Sequence, residues 1–216
     1  MKHKFFLFTS IFILVTIFKS NSQIVNAKPD DFKEITKRQL IVQLITEDSY
    51  FTDDLEKKIA KTGNVKRKSE LESELAAYRN FVTGYNSFIK DVITKFWLLN
   101  SAKPVEFKTF SQVQEIRKVN PKNFTLLQFD QTKLWVKNEY GQETFTGKTI
   151  PTLVYSRMEN SEPYDNNFNK KIDYSFYFPY IEARKNAQLY PGDLIISVKM
   201  IQNHINEIMA YDKKNY

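Results

Sequence analysis

Between Ser69 and Leu99 the apolar residues Leu71, Leu75, Tyr78, Val82, Tyr85, Ile89, Val92, Phe96 and Leu99 recur at steps of four and three, with Phe81, Phe88 and Ile93 widening the stripe. This is the period of one face of an α-helix. Ser69-Glu-Leu-Glu72 has the form of a capping box that would open it, and Asn100 and Pro104 would close it. A face this broad must be buried against a sheet or against several elements at once. A two-helix seam would instead show a narrow line flanked by regular Glu/Lys pairs, which this stretch lacks. Gly84 inside the stripe costs about 1 kcal/mol relative to alanine, so it is expected to mark a bend or a close neighbour.

The rest of the chain supplies the sheet such a helix needs. Gln39 to Ile45 is a short apolar run rich in β-branched residues and reads as a buried strand, with a helix over Asp31 to Ile45 as its rival. Ser49 to Asn64 reads as a connector with one short helix at Asp53 to Lys61, ended by Gly63. Val105 to Lys108 can form an edge strand, and Thr109 and Ser111, each followed three residues later by Gln, can cap a helix through Val113, Ile116 and Val119. Phe124 to Asp130, Thr149 to Ser156 and Tyr174 to Phe178 read as further strands, with a turn-rich excursion at Asn138 to Lys148. Pro151 is expected near a strand end or on an edge. Pro191-Gly-Asp193 starts a last helix whose Leu194, Ile195, Val198, Ile201, Ile205 and Ile208 share one face. The order of elements predicts an α/β fold: a mixed sheet of about five strands covered by helices, including a long helix near 69–99 and a C-terminal helix near 193–210.

The N-terminus carries a different pattern. Lys2, His3 and Lys4 precede a 14-residue apolar run, Phe5 to Phe18, which is followed by the small polar stretch Lys19 to Ser22. This is the plan of a secretory signal peptide, and the run is shorter than the roughly 20 residues a membrane-spanning helix needs. Residues 1–22 are therefore expected to be a leader and 23–216 a single exported domain, secreted or periplasmic. Cleavage after Ser22 and cleavage after Ala27 both satisfy the small-residue rule. Loss of the leader removes three lysines and no acid, which lowers the formal charge from +7 to +4. That modest excess, together with export, excludes a nucleic-acid partner.

There is no cysteine, so disulfides, thiolate chemistry and an acylated N-terminal cysteine are all excluded. Without an acylated cysteine or a hydrophobic C-terminal tail, no stable membrane anchor is expected after cleavage. Beyond the leader the only histidine is His204, and no serine sits in a glycine-flanked nucleophile elbow. A catalytic zinc site is not expected, and no metal site is assigned. The five glycines make neither dinucleotide nor P-loop spacing, so no organic cofactor is expected.

Three groups of residues remain as candidates. Glu47 and Asp48 follow the first strand and Asp130 ends the central one. In a parallel arrangement all three would reach the carboxyl edge, as an acid/base pair or an oxygen-ligand set in an extracytoplasmic hydrolase or transferase. Lys57, Lys58, Lys61, Lys66, Arg67 and Lys68 gather six cations within 12 residues, able to grip an anionic polymer or a membrane surface. Tyr155, Tyr164 and Tyr190 are candidates for an exposed contact surface toward a protein or polysaccharide partner, whereas the alternating aromatics Tyr174, Phe176 and Phe178 are expected in the core. With nucleophile, metal and phosphate signatures missing, the leading expectation is an exported binding or interaction module.

Overall fold

The computed structural model describes residues 23–137, 140–160, 173–177 and 190–211. Among these residues six strands form one sheet: β1 (Gln23–Val25), β2 (Gln39–Leu44), β3 (Glu106–Thr109), β4 (Phe124–Lys137), β5 (Glu143–Arg157) and β6 (Tyr174–Tyr177), in the order β1-β6-β5-β4-β2-β3. β2 runs parallel to both β3 and β4, and the remaining neighbours are antiparallel, so the sheet is mixed and the fold is α/β. Five α-helices accompany it among the described residues: α1 (Pro29–Ile35), α2 (Ser49–Lys61), α3 (Val65–Phe96), α4 (Phe110–Val119) and α5 (Pro191–Tyr211).

The two faces of the sheet are covered differently. Strand alternation places Leu40, Val42, Leu127, Leu153, Tyr155, Tyr174 and Phe176 on one face, where they pack with Phe32 and Ile35 of α1, Tyr85, Ile89, Val92 and Ile93 of α3, and Leu194, Val198, Ile201 and Ile205 of α5. The opposite face packs Ile41, Leu126 and Met158 under Val113 of α4. The chain steps outward from β2 to β3 through α2 and α3, then back across β2 to β4 through α4. A reversal of direction at constant handedness requires these crossovers to lie on opposite faces, as they do.

Several boundaries differ from expectation for local reasons. α3 begins four residues before Ser69, because Asn64 Oδ1 accepts the Arg67 N–H at 3.0 Å and caps the helix before the Ser69 box is reached. It ends at Phe96, with the Trp97 N–H bonded to the Ile93 carbonyl. α2 is longer than the predicted short helix, since Asp48 Oδ1 accepts the N–H groups of Tyr50 and Phe51 and starts it at Ser49. Of the two readings of 31–45 the strand holds, since β2 runs from Gln39 to Leu44; the rival helix does not reach Ile45, and helix is confined to α1 at Pro29–Ile35. At Gly84 a close neighbour was one expectation, yet an added Cβ would meet only the Phe88 ring at 3.6 Å, an ordinary contact.

The excursion after residue 137 is shorter than expected, because β5 already starts at Glu143 and pairs with β4 as a long antiparallel ladder. Pro151 is not at a strand end as expected: it lies inside β5, opposite Gln131 of β4 and one residue past Thr152–Tyr177, the last described pair with β6. The sixth strand, β1, is three residues long and too short to show a period in the sequence. Thr109 caps α4 as expected, its N–H bonded to Gln112 Oε1 at 2.9 Å. No helix among the described residues is long and apolar enough to cross a membrane.

Candidate functional site

α3 divides in two along its length. From Val82 onward it lies on the sheet. Before Tyr78, among the described residues, its buried side chains pack against α2, in a separate small cluster of Leu55, Leu71 and Leu75 flanked by Phe51 and Ile59. The two helices form a hairpin arm that extends beyond the sheet. Its base is fastened by Arg79, which reaches Glu47 at 3.3 Å and Glu56 at 2.9 Å, by the Phe51–Tyr78 ring contact, and by the Asp48 N–H donating to the Tyr78 hydroxyl. Asn86 completes the join: its side chain accepts the Ile45 N–H and donates to the Ile45 carbonyl, substituting for a neighbouring strand at the end of β2.

The tip of this arm carries the six cations. Residues 57–68 contain no acid, and Gly63 through Glu70 are all exposed. Lys58 pairs with Asp54 and Arg67 with Glu70 on their own helices. Lys57, Lys61, Lys66 and Lys68 make no ion pair among the described residues. Lys58 and Lys61 sit in the last turn of α2, where the negative end of the helix dipole favours them. Lys66, Arg67 and Lys68 sit in the first turn of α3, at the positive end, where cations are disfavoured. Val65 stands among them 84% exposed. The arrangement concentrates positive potential on a convex end.

The three candidate carboxylates are positioned by different elements. Asp130 shares sheet parity with Leu126 on the α4 face, whereas Glu47 is drawn to Arg79 of α3 and Asp48 is spent on capping α2. Among the described residues no three His, Asp or Glu side chains gather as metal ligands.

Tyr155 is not on the surface. It pairs with Leu127 on the large-core face, is fully buried, and its hydroxyl donates to Asn100 Oδ1 at 2.9 Å. Burial pushes its phenol well above the ordinary range. The same Asn100 oxygen accepts Trp97 Nε1–H, and its amide donates to the carbonyls of Ile35 and Arg38, which makes it a knot between α1, the end of α3 and β5. Tyr190 is about half exposed, and its N–H donates to Asp193 Oδ2 to open α5. Tyr164 lies outside the described residues. Tyr174 and Phe176 are buried, as their alternation suggested, and Phe178 lies outside the described residues. His204 of α5 meets the Tyr174 hydroxyl through Nδ1 at 3.1 Å, and burial lowers its pKa against the opposing pull of Glu207.

Sequence reasoning missed the buried ionic centre. Asp173 is 2% exposed and accepts from Arg157 Nη2 at 2.7 Å, the Arg157 N–H at 2.6 Å and Ser156 Oγ at 2.9 Å, while Arg157 Nη1 also reaches Asp31 Oδ1 at 3.2 Å. The carboxylate beside it holds the Arg157 guanidinium above its usual pKa. These bonds tie α1, the end of β5 and the residue before β6 together. No local signal could have found this centre, because its members lie as far apart as residues 31 and 173.

No protein-family model, curated protein or solved structure matches this chain.

Proposed function

We propose that the protein acts, after export directed by its N-terminal leader, as a binding module whose cationic arm tip holds an anionic partner. One observation carries this reading: three cations occupy the first turn of α3, where they oppose the helix dipole, within a 12-residue stretch free of acid. Cations placed only for solubility would face no such cost on the outer faces of either helix. A convex, exposed tip suits a surface or a flexible polymer better than a small ligand, which needs a concavity. Each Lys or Arg brought to an anionic surface contributes about 1 kcal/mol, attenuated over a Debye length of about 10 Å at 0.1 M salt.

The test compares wild type with the triple variant Lys66→Gln/Arg67→Gln/Lys68→Gln. Both are assayed on vesicles of anionic and of neutral phospholipid, and on an immobilised acidic polysaccharide, at rising salt. Wild type is expected to bind at least one anionic probe and no neutral one, and the variant to bind about 100-fold more weakly, the equivalent of three lost cations. Equal binding by both proteins, or none by wild type to any anionic probe, defeats the reading.

A further inference from the structure

The leader offers two cleavage points, after Ser22 and after Ala27, and the sheet does not treat them alike. Residues Gln23–Val25 are β1 itself, antiparallel to β6, with Gln23 opposite Phe176, Ile24 opposite Ser175 and Val25 opposite Tyr174. Beyond the strand the chain stays attached: Asn26 and Ala27 both donate their N–H groups to the Asp173 carbonyl, at 3.0 and 3.2 Å, and Ala27 packs against the large core. Asp173 is the residue whose carboxylate receives Arg157, so the end of β1 is tied to the residue that carries this buried ion pair.

A cut after Ala27 would remove this whole strand. β6 would become the outer edge, with the backbone groups it now pairs with β1 exposed and the buried Tyr174, Ser175 and Phe176 beside an open flank. The Asp173 carbonyl would lose both donors. The new amino group would fall on Lys28, whose N–H now donates to Asp31 Oδ2 at 2.8 Å to cap α1. A cut after Ser22 removes no residue paired in the sheet.

We infer that the leader is released by hydrolysis of the Ser22–Gln23 peptide bond by an extracytoplasmic leader peptidase. Water supplies the hydroxyl to the Ser22 carboxyl and the hydrogen to the Gln23 amine. The mature chain then begins on the first paired residue of β1. The inference rests on the export reading and decides between the two sites that the small-residue rule leaves open.

The full-length precursor, expressed in a host that exports it, is recovered separately from the extracytoplasmic and cytoplasmic fractions and identified by N-terminal sequencing and intact mass. A chain starting at Gln23, or that chain less ammonia where the glutamine has cyclised, is the expected product. A chain starting at Lys28 overturns the assigned bond and leaves export standing. Intact protein starting at Met1 and confined to the cytoplasm overturns export, and the cleavage with it. Independently, proteins made to start at Gln23 and at Lys28 are unfolded in denaturant. The shorter one is expected to unfold at a lower midpoint, and coincident midpoints would remove the structural reason for preferring Ser22.

Discussion

The two halves of α3 have the same apolar spacing and very different surroundings. The second half contributes Tyr85, Ile89, Val92 and Ile93 to a cluster of 18 buried residues shared with α1, α5 and four strands, whereas the first half shares Leu71 and Leu75 with a single buried residue of α2. A stripe of the right period therefore says that a face is covered and nothing about how deeply. Local stability follows the depth of cover, so the arm should open at lower free energy than the body.

The largest test of that contrast is in the body. Asp173→Ala leaves the Arg157 guanidinium without its main partner, and a loss of about 3–5 kcal/mol is expected, read as a shift in denaturant midpoint. Next comes a matched pair on the two halves. Ile89→Ala should cost about 2–5 kcal/mol and speed hydrogen exchange throughout the sheet, while Leu75→Ala should fall at the low end, about 2 kcal/mol, and speed exchange in α2 and the first half of α3 alone. Exchange that accelerates equally in both regions after either change would erase the distinction.

At the junction, Gly84→Ala has room for its methyl group against Phe88 and should stabilise by up to about 1 kcal/mol in thermal melts. A loss there would reveal a packing demand on the glycine. At the arm tip, removing the three first-turn cations should raise stability by up to about 1 kcal/mol at low salt, with the gain fading as salt is added. The smallest effect belongs to His204. Burial lowers its folded pKa below the ordinary value of 6.5, so the unfolded chain takes up its proton first. Stability contributed here is complete above that value and declines as pH falls through it toward the lowered folded pKa. His204→Gln should flatten this part of a stability profile, and an unchanged slope would show that the imidazole does not titrate differently on unfolding.

What could be read from sequence divides along physical lines. α3, α5, the Thr109 cap and the strand at Phe124 announce themselves through period, capping residues and β-branching, all of which act within a few neighbours. The cations of the tip were visible as a run of charge. Tyr155 was misplaced because alternation identifies two faces and cannot tell which is exposed; both Val154 and Tyr155 are fully buried here. The Arg157–Asp173–Asp31 centre, the Asn100 knot and the Asn86 clamp unite residues far apart in sequence, and only the register of the sheet and the packing of the helices on it bring them together.

The 32 residues of α3 make a rod about 48 Å long that runs unbroken from the arm tip to the sheet. Its outer sixteen residues amount to a stand-off of roughly 24 Å. A partner that grasped the tip would thus be held away from the globule, as an outrigger is from a hull, with the Asn86 amide tying the rod to Ile45, one residue past β2.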